Sequence, residues 1–166
     1  ALATMVIHQN SADGLSLTSK LQKQLTSQLT LLDDEINQYQ SLEEKENQNL
    51  INKIGALKNE KVALENQFIL ANEKLELLLA QQQNVEQLNH SGFISTFEKE
   101  NQQQALLEAK QEKQNIARLL LQQKNQINQA LFEKENLPKE YKLRINSLLR
   151  QKAEIENQLA QVKNNH

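Results

Sequence analysis

Residues 50–85 read LINKIGALKNEKVALENQFILANEKLELLLAQQQNV. Within them Leu50, Ile54, Leu57, Lys61, Leu64, Phe68, Ala71, Leu75, Leu78, Gln82 and Val85 fall at alternating steps of three and four residues, and only Lys61 and Gln82 are polar. That alternation is the seam of a coiled coil, in which one helix face packs against a second helix. A shorter register, Leu25, Leu29, Leu32, Ile36 and Tyr39, precedes it out of phase. The polar run from Gln40 to Asn49 lies between the two and contains Ser41-x-x-Glu44, a capping-box pattern. It marks either a helix restart or a stutter within one continuous helix.

Toward the C-terminus the seam stops at Asn89-His90-Ser91-Gly92-Phe93-Ile94-Ser95, where Gly92 is the natural point for the chain to leave helical φ/ψ. Ser95-x-x-Glu98 is a second capping box, and behind it Leu106, Ala109, Lys113, Ile116, Leu120, Gln123, Ile127 and Ala130 resume the spacing. The chain reverses here. Pro138 lacks a backbone N–H and pushes Leu137 away from the α region, so the reading expects a structural break there and a third helix beyond it. Tyr141, Ile145, Leu148, Lys152, Ile155, Leu159 and Val162 carry that third register.

At the other end Ala1–Ile7 is short and partly β-branched, and Ser11-Ala12-Asp13-Gly14 reads as a turn. A strand remnant followed by a helix starting near Ser16 or Thr18 is the expectation. The fold class is therefore all-α: a long antiparallel coiled-coil hairpin of three helices with a short N-terminal β-strand. Residues 1–14 form the strand and turn, and residues 15–166 form the hairpin. Its ascending arm spans about 16–89, its tip about 90–95, and its descending arm about 96–137 and 138–163. The arms are nearly equal, each about 100 Å long at the helical rise. Reflected through the turn, Pro138 falls inside the polar run of the first arm, so both arms should be disturbed at one height.

Composition narrows the function. Only 38% of the 166 residues are hydrophobic, 4% are aromatic, and Gly and Pro number three and one. Asn and Gln supply about a quarter, which favours an elongated helical protein over a compact core. The net charge of -2, with both signs interspersed, provides no basic stripe for a phosphate backbone. Nucleic acid is not an expected partner. The absence of cysteine excludes thiolate metal sites and leaves the redox compartment open. His8, His90 and His166 are too far apart in sequence to ligate one ion by helical spacing, and Asp33-Asp34-Glu35 fans outward on a helix instead of converging. No metal, cofactor or catalytic site is expected, and the chain reads as a non-enzyme.

Leu88, Phe93, Ile94 and Phe97 place apolar groups at the end of a thin rod, rimmed by Asn84, Asn89, His90 and Ser95. Two readings fit them: a docking surface for another protein, or a staple that closes the turn while Ser95 caps the second helix.

On these residues the chain resembles the hairpin of periplasmic adaptors, or membrane fusion proteins, of the hemolysin secretion protein D family. The family's tip carries an Arg, a Leu four residues later and a Ser seven beyond that. Leu88 and Ser95 match, Glu98 lies close by, and Asn84 stands where the Arg would be. The Leu137-Pro138 break and the Ser11–Ser16 segment also resemble adaptors of type I secretion. The resemblance implies that residues 1–14 end the first half of a lipoyl motif. It further implies that Asn84, Leu88, Gly92, Phe93, Ile94 and Ser95 dock on a TolC-type outer-membrane channel. An inner-membrane ABC transporter would be contacted through parts outside this sequence, in a periplasmic assembly anchored in the inner membrane and hexameric in the full complex. The exported cargo would be a protein or peptide, a toxin or a bacteriocin. A cytoplasmic coiled-coil scaffold or tether with no transport role is the alternative, and it would not require an apolar Gly-Phe-Ile-Ser turn.

Overall fold

The computed structural model describes the backbone of residues 2–165 and the side chains of residues 14–165. Two helices run through it: α1, Leu2–His90, and α2, Thr96–Asn164. They form a helical hairpin whose chain divides into two compact units, residues 49–133 and residues 1–48 with 134–166.

In the unit of residues 49–133 the seam lies where the spacing places it. Ile54, Ala71 and Leu75 of α1 and Leu106, Ala109, Ile116, Ile127 and Ala130 of α2 are buried, and Leu75, Leu106 and Ala109 form one cluster with Leu78. The exception among them is polar. Gln123, 7% exposed, occupies a seam position and donates through Nε2 to the Leu57 carbonyl at 2.8 Å and to Glu60 Oε2 at 2.9 Å. An amide in a seam is tolerated when it is bonded, and it fixes register because a slip would strand it. Lys113 lies over the Phe68 ring, 5.7 Å from its centroid.

In the other unit Leu25, Leu32 and Ile36 are buried on α1, and Leu137, Tyr141 and Leu148 on α2. Leu32, Ile36 and Leu148 pack together with Tyr39, Ile145 and Ile155. Lys152 donates to Asp33 at 2.7 Å across the two helices. Hydrogen bonding to that carboxylate raises the Lys152 pKa above its ordinary value. Tyr39 and Tyr141 meet edge to face with centroids 6.3 Å apart, and the Arg144 guanidinium sits 5.8 Å from the Tyr39 ring. Burial, and after it the neighbouring Glu46, raises the pKa of the Tyr141 phenol.

Two expectations about helix boundaries need correction, and one open alternative is decided. Pro138 lies inside α2, which continues unbroken to Asn164, so there is no third helix. Proline in a helix interior costs about 3 kcal/mol through the lost bond and the clash. Leu137 and Tyr141 on either side of it are buried at 6% and 8% exposure. Each such side chain contributes about 1.5–3 kcal/mol, enough to hold the helix together across the proline.

Of the two alternatives at the Ser41 capping box, the helix does not restart: α1 is continuous through it. Between Tyr39 and Leu50 the half-buried positions are Glu43 and Asn47, and on α2 the seam passes from Leu137 to Tyr141 to Ile145. Each helix thus inserts one extra step of four at matching height, which is a stutter in a continuous helix. The disturbance is real but is absorbed by a shift of phase.

Of the strand expected over Ala1–Ile7, the described residues Leu2–Ile7 are helical instead, and α1 continues through Gly14 and past Ser16. A strand satisfies its backbone only by pairing, and the described residues contain no second strand. Thr18 is not a cap, because its hydroxyl donates back to the Gly14 carbonyl at 2.8 Å within the helix.

Candidate docking site at the hairpin tip

The turn between the helices is built by two local motifs. Gly92 adopts φ of 81°, the only positive φ among the described residues. Around it the Phe93 N–H donates to the Leu88 carbonyl at 2.8 Å and the Gly92 N–H to the Asn89 carbonyl at 3.1 Å. That paired pattern is a Schellman motif, which satisfies carbonyls the end of α1 would leave orphaned. On the far side Ser95 Oγ accepts the Glu98 N–H at 3.2 Å, so Ser95 is the N-cap of α2. Between them Asn89 Nδ2 donates to the Ile94 carbonyl at 3.0 Å and ties the loop to the last turn of α1. Local chemistry therefore fixes the tip.

This geometry separates the two readings of the apolar residues. A staple would bury them, yet Phe93 is 80% exposed, Phe97 71% and Leu88 41%. Ile94 is half-buried and belongs to the turn itself. Asn84 and Ser95 are exposed, and the Ser95 hydroxyl, which accepts from Glu98, retains its own proton for a further bond. Leu88, Phe93, Phe97, Asn84 and Ser95 thus lie together at one end of the unit. Gly92 is exposed and shapes the turn. Asn89, expected in the rim, has its amide committed to the loop, and only its position near a glycine could have indicated that.

Elsewhere the candidate chemistry disperses. Asp33 is bound to Lys152, His90 is exposed at the end of α1, and the side chains of His8 and His166 lie outside the described residues. No metal-holding cluster occurs among the described residues, and no helix there is long and apolar enough to cross a membrane.

No family model and no curated protein matches the chain. One solved structure shares its fold, described as the structure of the periplasmic adaptor protein EmrA. The match has a TM-score of 0.68 at 19% sequence identity, over 93% of this chain and 47% of that one. The chain therefore spans about half the length of the structure it matches. At this identity the likeness establishes a shared helical-hairpin fold.

Proposed function

We propose that the chain is the hairpin of a periplasmic adaptor and joins an inner-membrane transporter to an outer-membrane channel by docking its tip end-on against the channel. The observation that carries this reading is the exposure of Leu88, Phe93 and Phe97 on a turn already closed by Gly92, Asn89 and Ser95. Apolar groups that the turn does not need for closure are available to a partner. The shared fold with an adaptor supports the reading.

In its finer form the channel is TolC-type, the transporter is an ABC protein, and the cargo is a protein or peptide of type I secretion. The adaptor stands in the periplasm as a hexamer anchored in the inner membrane, and residues 1–14 lead into the hairpin from the first half of a lipoyl motif. The role is contact and not catalysis. A cytoplasmic tether accounts for the seam but gives the exposed Phe93 and Phe97 nothing to do.

Leu88→Asp tests the reading, because it sets an unpaired charge in the contact while leaving both seams intact. In the full-length protein this variant should keep its helicity and transporter binding and lose export. Normal export by a stably expressed Leu88→Asp, Ser95→Arg variant would remove docking from the tip.

A further inference from the structure

Between Glu86 and Glu98 the sequence contains no Asp, Glu, Lys or Arg, although 24% of the chain is of those four types. That stretch is the whole apex of the hairpin: the last turn of α1, the loop and the first residues of α2. Its one group that titrates near neutrality is His90, exposed at the end of α1.

The exposed groups of the apex are of two kinds. Phe93, Phe97 and Leu88 are apolar. Around them Asn84, Gln87, Ser91, Ser95 and Thr96 are exposed amides and hydroxyls, which can donate or accept without carrying charge. Glu86 is the nearest acid on α1, and by helical spacing it lies about 200° around the helix from both Asn84 and Leu88. On α2 the charges resume with Glu98, Lys99 and Glu100, after Phe97. An apolar centre, a neutral polar rim and charges set outside both are the anatomy of a contact made by fit.

The two rings are also held ready. Phe97 is the second residue of α2, in a turn fixed by the Ser95 cap, so its backbone is ordered while its ring stays in solvent. Phe93 follows Gly92 and is tied by its N–H to the Leu88 carbonyl at 2.8 Å. Side chains presented on an ordered backbone lose less freedom on docking than those of a mobile loop.

We infer that the channel receives this tip in an uncharged slot, lined by apolar side chains and rimmed by amide, hydroxyl or backbone groups, with Phe93 and Phe97 as the anchors that select it. A lysine or carboxylate covered by the apex would lose its water and meet no opposite charge. The inference rests on the adaptor reading and adds to it the chemistry of the partner. It also makes Phe97, which lies outside the turn, a determinant of which channel is accepted.

Charge variants of the full-length adaptor test this in exporting cells without the channel having to be identified. Asn84→Arg and Asn84→Asp should each lower export about tenfold, since either sign would be pressed against an uncharged rim. Asn84→Gln should export normally, and an equal loss there would trace the effect to shape and overturn the charge argument. Opposite responses, with one sign lowering export and the other sustaining or raising it, would reveal a charged rim and overturn the uncharged slot. Normal export by both charge variants would overturn it as well. Phe97→Ala should lower export about tenfold with unchanged helicity, as loss of an aromatic anchor does; normal export by that variant would remove Phe97 from the contact. Leu88→Asp keeps the two proposals apart. If it exports normally, tip docking itself falls. If it fails to export while the two Asn84 charge variants differ in sign or have no effect, only the uncharged slot falls.

Discussion

At the residue scale the tip was legible because its chemistry is local. A glycine after a long helical register and a serine three residues before a glutamate are sequence signals for two caps, and both caps form. What the sequence did not disclose is how the spare polar groups are assigned. Thr18 has the same chemistry as a cap but bonds backward to Gly14, since α1 had already begun. Gly92→Ala should cost about 1–2 kcal/mol, the penalty of left-handed φ for a residue with a Cβ. No atom lies within 4 Å of where that Cβ would be, so the cost should be conformational alone. Ser95→Ala should cost about 1 kcal/mol through the lost cap. Urea denaturation measures both, and an unchanged midpoint for Gly92→Ala would mean that the turn relaxes without its left-handed residue.

At the scale of elements, the three-four spacing revealed each register but not how registers join. Glu43 and Asn47 carry the seam through the phase change, and being polar they could not be distinguished from a loop by periodicity. Pro138 misled for the opposite reason. Its local penalty is real, but Leu137 and Tyr141 outweigh it by burial. Pro138→Ala should therefore stabilise the chain, by up to about 3 kcal/mol in urea denaturation. A true break at that position would give no gain.

The same pair of helices has an alkaline weak point. Tyr141 and Lys152 both have pKa values above the ordinary 10.0 and 10.5, so the folded state holds these protons more tightly than the unfolded chain does. The stability they contribute is fully present below the ordinary values and is lost as pH rises through the elevated ones. Thermal melts should be level through neutral pH and decline above 10.0. A Tyr141→Phe, Lys152→Met variant should show a shallower decline, and an equal slope would place the sensitive groups elsewhere.

For the molecule as a whole, the two units differ in how their chains close. Residues 49–133 are one continuous segment containing both sides of their seam, the buried Gln123 bonds and the capped turn. The other unit joins two segments that meet only after the whole of that segment has been bridged. Loop closure and contact order favour the first as an autonomous folding unit. Excised 49–133 should be helical by circular dichroism and melt cooperatively, with Gln123→Ala lowering its midpoint. Independent folding then allows a functional test without the rest of the adaptor. Secreted into the periplasm of cells that export through the native adaptor, excised 49–133 should compete for the channel and reduce export in proportion to its level. The same segment carrying Leu88→Asp should fold as well and compete no longer. Equal inhibition by both segments would overturn docking through the tip.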